Sequence, residues 1–280
     1  MKDKVVLITG GSAGVGRAAA LGLARLGART VLLSRDAQRA EQTRGELIAA
    51  TGNERIECLQ ADLADGSSVT RSAEEFKERY DRLDVLMNCA GVLYPRRKVS
   101  VGGVEMTLAV EFLGHYLLTN LLLDVLKRSA PARILTVTGN AGPLRFARIH
   151  FGDLQLEKGY NPAKAKLQAE LAKALFSIEL ARRLQGSGVT SNAFHPGLIR
   201  SRIIRNLPWY LRIPASIGTA VLARETGTGV YLATSAEVEG VSGRYFEGIG
   251  KERTVPVDGE AARRLWEIAD SLVGGAPPRL

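Results

Sequence analysis

The 280-residue sequence contains few of the residue types that mark secreted or metal-binding proteins. Its two cysteines, Cys58 and Cys89, both fall in predicted buried strands, which excludes a disulfide framework and predicts a reducing, cytoplasmic environment. Its three histidines lie far apart and form no cluster with other metal-binding side chains. The sequence therefore predicts no metal site.

Long hydrophobic runs and long basic runs are absent too. The longest apolar stretch, residues 104–126, is interrupted by Glu105, Glu111, His115 and Asp124, so it predicts a buried helix and no membrane span. No charged-then-apolar leader precedes the first apolar run at Val5. The formal charge of +9 is spread along predicted helices, with no basic run longer than Arg96–Lys98. A solvated basic surface is expected, and a nucleic-acid partner is not.

A glycine-rich turn near the start of the chain is the strongest motif present. The apolar residues 5–8 predict a buried parallel strand, and a helical pattern follows from Arg17. Between them, small residues let the backbone approach a pyrophosphate at a helix N-terminus. We interpret the turn as a dinucleotide site formed by Gly10, Ser12, Gly14, Val15 and Gly16. A tight turn without a ligand is the alternative.

Strand and helix patterns alternate along the chain with short loops between them. This alternation predicts a single α/β domain over residues 1–280, with a Rossmann-like, doubly wound parallel sheet of about seven strands. The predicted strands lie near residues 4–9, 29–34, 55–60, 83–88, 132–137, 188–194 and 243–246. The predicted helices lie near residues 15–26, 37–51, 67–80, 104–128, 161–185 and 217–234.

Four motifs occur in an order and at distances that characterise one known family. They are the spacing of Gly10, Gly14 and Gly16, then Asp62, then Asn88-Cys89-Ala90-Gly91, and last His195-Pro196-Gly197. From about residue 3 to residue 273 the chain resembles the short-chain dehydrogenase/reductase family. It is most similar to the retinol-dehydrogenase-like branch, in residues 179–189 and 263–266.

The resemblance implies a bound nicotinamide dinucleotide. The implied contacts are Asp62 and Leu63 to the adenine, Asn88, Ala90 and Gly91 to a ribose, and Pro196, Gly197 and Ser201 near the carboxamide and pyrophosphate. Arg35, which ends the second predicted strand, favours NADP(H) over NAD because an arginine accommodates a 2′-phosphate. Alternatively, Arg35 packs over the adenine in either cofactor, and Asp62 caps the next helix.

The catalytic residues that the resemblance implies are replaced in this chain. The match over residues 171–189 puts Lys166 and Glu170 where the family has its catalytic tyrosine and lysine, and no tyrosine occurs between residues 161 and 209. The family's asparagine falls at Glu111. Its serine falls at Gly139, Asn140 or Ala141, none of which has a hydroxyl, although the adjacent Thr138 could supply one.

The replacement residues could form a new acid–base set. Lys166 and Glu170 lie four residues apart on one helix face with Lys173, and Glu111 would face the same crevice. Apolar neighbours are expected to raise the pKa of Glu111 into a range suited to proton transfer. We therefore take Glu111, Asn140, Lys166 and Glu170 as candidate catalytic residues. A salt bridge without a catalytic role is the alternative.

Three functions are compatible with this pattern. The one it favours is a non-redox enzyme of the cyclase, isomerase or dehydratase type, acting on an apolar small molecule or secondary metabolite, with NADP(H) bound but not consumed. The others are an NADP-dependent oxidoreductase with altered proton transfer and a non-catalytic NADP(H)-binding protein.

Two further features concern the substrate and self-association. Residues 198–217 are rich in apolar and aromatic side chains and predict a lid over an apolar substrate, with packing helices or a membrane-surface contact as alternatives. Apolar positions in the fourth and fifth predicted helices predict a homo-oligomer seam that comprises Leu117, Leu118, Leu121, Leu122, Leu175 and Phe176. The alternative is that these side chains are used entirely in packing against the sheet.

Overall fold

The structure, a computed structural model, describes residues 1–197, 226–256 and 258–274. In these ranges seven strands form one parallel sheet in the order β3-β2-β1-β4-β5-β6-β7. The strands are β1 Val5–Thr9, β2 Arg29–Ser34, β3 Ile56–Gln60, β4 Val85–Asn88, β5 Ala132–Val137, β6 Val189–Phe194 and β7 Tyr245–Phe246. The strand order reverses between β1 and β4, so a crevice opens at their carboxyl ends. The predicted doubly wound, seven-stranded fold is confirmed.

Helices cover both faces of this sheet. They are α1 Gly14–Arg25, α2 Ala37–Thr51, α3 Gly66–Arg79, α4 Met106–Leu108, α5 Gly114–Leu121, α6 Leu123–Arg128, α7 Ala141–Leu144, α8 Pro162–Arg183, α9 Gly227–Thr234 and α10 Gly259–Leu272. A π-helix, Ala109–Leu113, joins α4 to α5, and a 3₁₀ turn, Ala236–Val238, follows α9. None of the helices in the described ranges is long and apolar enough to cross a membrane.

The core consists of two apolar layers, one on each face of the sheet. Successive side chains of a strand point to opposite faces. In β1, Val5 and Leu7 belong to one layer while Val6 and Ile8 belong to the other. This double burial explains why the strand is a continuous apolar run in the sequence.

The fourth predicted helix, 104–128, is interrupted at several points. Glu105 caps α4 by accepting hydrogen bonds from the N–H groups of Thr107 and Leu108 at 2.9 and 2.8 Å. The π-helix follows, and Leu122 separates α5 from α6. A Cβ atom at Gly114, the first residue of α5, would lie 2.4 Å from the carbonyl oxygen of Leu63, so this residue permits a close approach of α5 to the loop after β3.

The C-terminal helix α10 was not predicted, and it changes the interpretation of the proposed seam. It packs along α8, where the ring of Trp266 lies with its centroid 5.8 Å from that of Phe176 and 4.8 Å from that of Tyr116. Four of the six seam residues, Leu118, Leu122, Leu175 and Phe176, are fully buried within the single chain. The seam prediction is therefore wrong for these residues, because their apolar surface is already used inside the fold.

Two predictions fall wholly or partly outside the described residues. The lid at residues 198–217 and Ser201 lie there, as does the first part of the predicted helix 217–234. Where the description resumes, Thr226 is extended and its hydroxyl accepts a hydrogen bond from the N–H of Gly229. The helix predicted to run continuously through this position therefore begins at Gly227, since Thr226 is its N-cap.

Candidate active site

A cleft of about 640 Å³ opens at the carboxyl ends of the strands, where the strand order reverses. Ten of the predicted cofactor residues line it: Gly10, Ser12, Gly14, Val15, Arg35, Asp62, Leu63, Ala90, Gly91 and Pro196. They come from five loops that are distant in sequence and that follow β1, β2, β3, β4 and β6 at the same edge of the sheet. The cleft also contains two of the predicted catalytic residues, Lys166 and Glu170.

The glycine-rich turn has the geometry that a pyrophosphate site requires. Gly10 and Gly14 have φ values of 65° and 52°, in the left-handed region that favours glycine. A Cβ atom at Gly16 would lie 2.5 Å from the carbonyl oxygen of Gly10, so this residue allows α1 to pack against the turn. The N-cap of α1, Ala13, supplies no side-chain hydrogen bond. The first N–H groups of α1 are therefore left for an anion.

Two arginines line the cleft beyond the end of β2. Arg35 has a side chain 64% exposed, with its Nη1 atom 3.8 Å from Oδ2 of Asp62. Arg39, which sequence reasoning missed, also lines the cleft and pairs with Asp36 at 3.2 Å. The sequence signal that could have identified Arg39 is its position as a basic residue in the first turn of the helix after Arg35. The N-cap of α3 is Asp65, so the alternative role of Asp62 as that cap is wrong.

Three predicted cofactor contacts do not line the cleft. The side chain of Asn88 is fully buried, and its amide nitrogen lies 3.1 Å from Oγ1 of Thr119 and 3.5 Å from Oγ1 of Thr136. Asn88 ends β4 pointing away from the cleft, so it supports the sheet and α5. Gly16 lies behind the turn, and Gly197 is the last residue described before the gap.

Four charged side chains form what we call the ion-pair cluster: Glu111, Lys166, Glu170 and Lys173. Nζ of Lys166 lies 2.6 Å from Oε1 of Glu111 and 2.6 Å from Oε1 of Glu170. Nζ of Lys173 lies 2.9 Å from Oε2 of Glu111 and 3.0 Å from Oε2 of Glu170. Each cation thus touches both anions, and the formal charge of the cluster is zero.

Burial differs sharply among these four side chains. The exposed fraction is 0% for Glu111, 3% for Lys173, 10% for Glu170 and 22% for Lys166. Burial acts to raise the pKa of Glu170, but the two ammonium groups outweigh it and the pKa is lowered. Burial acts to lower the pKa of Lys166, but the two carboxylates outweigh it and the pKa is raised. Both groups therefore stay ionised around neutral pH.

The carboxylate of Glu111 is fully occupied by hydrogen-bond donors and is not the free acid–base group that the sequence predicted. Its Oε1 accepts hydrogen bonds from Lys166 at 2.6 Å and from the N–H of Val92 at 2.9 Å, and its Oε2 accepts one from Lys173 at 2.9 Å. Neighbouring apolar side chains do exclude water, as predicted. However, all the partners of the carboxylate are donors, so Glu111 anchors the two ammonium groups.

Of the three residues predicted at the position of the family's serine, one lines the cleft and none has a hydroxyl. Gly139 lines the cleft beside Thr138, whose hydroxyl donates a 2.6 Å hydrogen bond to the carbonyl oxygen of Glu170. Asn140 does not line the cleft. It caps α7 through the N–H of Gly142, and its amide donates to Glu247. The prediction of Asn140 as a catalytic residue is therefore not supported by its geometry.

The residues around the cleft fit a nicotinamide dinucleotide. Beyond the glycine turn, one buried polar atom beside the cleft, Nδ1 of His195, has no hydrogen-bond partner among the described residues. Oε2 of Glu170 faces Nζ of Lys173 at 3.0 Å and has a second lone pair that can accept a hydrogen bond from a ribose hydroxyl. In the described part of the chain no group of histidine, cysteine, aspartate and glutamate side chains could hold a metal ion.

His115, which the sequence left without a role, connects β1 to the π-helix. Oγ1 of Thr9 accepts hydrogen bonds from the N–H groups of Cys89 and Ala90 at 2.8 and 3.0 Å. The Thr9 hydroxyl therefore donates its own proton to Nε2 of His115, 2.8 Å away. Nδ1 of His115 then donates to the carbonyl oxygen of Glu111 at 2.8 Å. This network holds the cleft loop against the helix that carries Glu111.

We expect His115 to remain neutral well below neutral pH. Burial lowers its pKa to about 3. The unfolded chain binds a proton near the ordinary pKa of about 6.5 while the folded chain does not, so this histidine makes stability fall as pH drops below about 6.5. In an NMR titration from pH 8 to pH 4.5, its ring resonances should stay constant in the Nδ1–H form. A titration midpoint near pH 6 would contradict the Thr9–His115 bond.

The fold and site define an α/β protein with a dinucleotide-binding cleft, and comparisons with known proteins give its family. Residues 4–208 match the family described as short chain dehydrogenase, and the chain belongs to this family. Human retinol dehydrogenase 14 is 40% identical, with 98% of this chain and 87% of that protein covered. Human retinol dehydrogenase 13 is 38% identical, with 98% of this chain and 86% of that protein covered.

Solved structures agree with the fold. An uncharacterised protein from Mycobacterium paratuberculosis has a TM-score of 0.75 at 29% identity, covering 98% of this chain and 95% of that one. RhlG from Pseudomonas aeruginosa, in complex with NADP, has a TM-score of 0.67 at 26% identity. The match covers 88% of this chain and 95% of that one.

Proposed function

We propose that the protein is an NADP(H)-dependent oxidoreductase in which Lys166 replaces the family's catalytic tyrosine as the proton donor. The observation that carries this proposal is the position of Lys166. Its side chain lines the cleft and, at 22% exposed, is the most exposed side chain of the ion-pair cluster. Relatives at about 40% identity are named dehydrogenases, which supports oxidoreduction as the class of reaction. The nicotinamide would supply or accept a hydride, as in other enzymes that use this cofactor.

The charge state of Lys166 favours reduction of a carbonyl over oxidation of an alcohol. Reduction creates an alkoxide, which is a much stronger base than a lysine amine, so an ammonium group can stabilise it and then donate a proton. The neutral amine regains a proton from water, to which Lys166 is partly exposed. Alcohol oxidation requires the neutral amine as the base. Because the pKa of Lys166 is raised, this form is scarce near neutral pH.

The same geometry disfavours the non-redox reaction that the sequence pattern favoured. Acid–base catalysis is most efficient when the pKa of the catalytic group lies near the working pH. Glu170 has a lowered pKa and Lys166 a raised one, so neither exchanges protons readily with a weakly basic substrate. An alkoxide is a sufficiently strong base to accept a proton from Lys166. The ionisation state of this cluster therefore suits an oxidoreductase that takes its proton from Lys166 better than it suits a cyclase or an isomerase.

Two arginines support NADP(H) as the cofactor. Arg35→Ala should weaken NADPH binding by at least about tenfold, because a charge-assisted contact to the 2′-phosphate is worth about 1.5–3 kcal/mol, while NADH binding changes little. Calorimetric titration with both cofactors measures this difference. Arg44→Ala is the matched control, since Arg44 lies on α2, the helix that follows Arg35, and pairs with Glu41 outside the cleft. Equal losses for NADPH and NADH would contradict a 2′-phosphate contact.

The proposed reaction is tested by incubating the purified protein with NADPH and a panel of apolar aldehydes and ketones, including retinal. The apolar composition of residues 198–217 motivates this choice of substrates. Carbonyl-dependent loss of nicotinamide absorbance, with an alcohol product two hydrogens heavier, is expected. A product of unchanged mass, or one lighter by water, without NADPH loss would favour the non-redox enzyme. NADPH binding without any product would favour a binding protein.

A further inference from the structure

A second pocket of about 380 Å³ lies outside the cleft, between the loop after α7 and the first turns of α8. It shares no lining residue with the cleft. We call it the lateral pocket. Its apolar wall comprises Phe146, Ala147 and Leu167, and the Phe146 ring is 70% exposed. An aromatic ring so exposed at the mouth of a cavity is available to stack on a ligand.

The polar wall of the lateral pocket is cationic. Arg148, Lys164 and His150 line it, and no lining residue is acidic. Neither Arg148 nor Lys164 forms an ion pair with a carboxylate of the described chain, unlike most basic residues near the cleft. The guanidinium of Arg145 lies 4.6 Å from the centroid of the Phe146 ring and adds a further positive charge at the edge. Asp153 interacts electrostatically with Lys164, but it neither lines the pocket nor lies within ion-pair distance of that lysine.

The charges facing His150 confirm the sign of the local field. Burial, Lys164 and Arg148 lower the pKa of His150, and Asp153 is the acid that opposes them. The carboxylate of Asp153 already accepts hydrogen bonds from the N–H groups of Glu157 and Lys158, at 2.8 and 3.1 Å. Its charge is thus partly compensated by the backbone, and positive potential remains at the pocket.

The pocket is also held in shape before any ligand binds. Gln168 is buried, and its Oε1 accepts a 2.9 Å hydrogen bond from the N–H of His150. Its Nε2 donates to the carbonyl oxygen of Leu154 at 2.8 Å. These two bonds tie the loop that carries Arg148 and His150 to α8, which carries Lys164. The backbone that carries the cations is therefore held by the fold, which lowers the cost of ordering the loop on binding.

We propose that the lateral pocket is a second binding site, for an aromatic organic anion. The anionic group would lie between Arg148 and Lys164, and the ring would lie between Phe146 and Leu167. A phosphate monoester and a carboxylate share the required charge, and a volume of about 380 Å³ accommodates a one- or two-ring compound. The site is separate from the cleft, so the proposal does not depend on the reaction proposed above.

The test uses 1-naphthyl phosphate as the probe, with the full chain saturated with NADP+ so that the cleft is occupied. Calorimetry should detect binding, and the ring resonances of His150 should shift in NMR spectra while those of the buried His115 do not. The double variant Arg148→Gln/Lys164→Gln should bind at least about tenfold more weakly, since two charge-assisted contacts are lost. Its matched control is Lys127→Gln/Arg128→Gln, which removes two exposed cations from α6.

Separate controls test the aromatic ring of the probe, its phosphate group and the aromatic wall of the pocket. Neutral 1-naphthol and inorganic phosphate should each bind at least about tenfold more weakly than the probe, and Phe146→Ala should weaken the probe alone. Circular dichroism checks that each variant is folded. Equal binding by the double variant and its control, or an unshifted His150 at saturation, would overturn the site. Inorganic phosphate binding as tightly as the probe would overturn the aromatic component.

Discussion

Replacing Glu111 with glutamine is expected to lower the free energy of unfolding by about 3–5 kcal/mol, because removing one partner leaves a buried charge uncompensated. The amide keeps the size of the side chain. However, two buried ammonium groups then share the single carboxylate of Glu170. Urea unfolding followed by circular dichroism measures the loss. Glu46→Gln is the matched control, because Glu46 is 44% exposed and its ion pair with Arg17 should contribute no more than about 1 kcal/mol.

A compensating substitution distinguishes lost charge balance from lost packing. The double variant Glu111→Gln/Lys173→Gln restores a neutral cluster, since Lys166 keeps Glu170 as its partner at 2.6 Å. It should recover more than half of the stability that Glu111→Gln loses. If the single variant were within about 1 kcal/mol of the natural protein, the cluster would not be a desolvated, mutually compensated set of charges.

Replacing Lys166 with methionine is expected to reduce NADPH-dependent carbonyl reduction by about 10²–10⁴-fold, the range over which a positioned proton donor acts. This loss corresponds to about 3–5 kcal/mol in the activation free energy. Methionine keeps much of the side-chain length but supplies neither a proton nor a positive charge. The measurement is single-turnover loss of nicotinamide absorbance with the best carbonyl substrate. NADPH affinity should change far less than the rate.

Two further variants sharpen this prediction. Lys166→Arg keeps the positive charge but binds its proton too tightly to donate it readily, so it should recover only the electrostatic part of the rate. Lys127→Met, on the surface of α6, should have no effect. A Lys166→Met protein that reduced carbonyls at the full rate would show that the proton comes from elsewhere, such as the substrate itself or water.

The fold could be predicted from the sequence because its signals are local. A strand buried on both faces must be apolar at every position, as in residues 5–8, and a turn with φ near 65° at Gly10 favours glycine. α10 could have been found from Asp258 and the helical spacing of Ala262, Leu265, Trp266 and Ala269. Trp266 of this helix packs on Phe176, one of the residues that the sequence had assigned to an oligomer seam.

The candidate site was only partly predictable, because its contacts join residues that are far apart in the chain. Helical spacing predicts the pairing of Lys166 with Glu170, and the structure has this contact at 2.6 Å. Nothing local indicates that Glu111, 55 positions before Lys166, binds both ammonium groups and becomes an anchor. The direction in which Asn88 and Asn140 point was likewise decided by strand alternation and by the cap of α7.

The sequence by itself determined the doubly wound fold class and the glycine turn, since each depends on local spacing or residue identity. Only the tertiary structure decided the ionisation state of the site. That state depends on distances of 2.6–3.0 Å and on burial, which arise when the π-helix packs against α8. Electrostatic energy depends on the distance between charges and on their solvent exposure, and neither quantity can be obtained from the sequence alone.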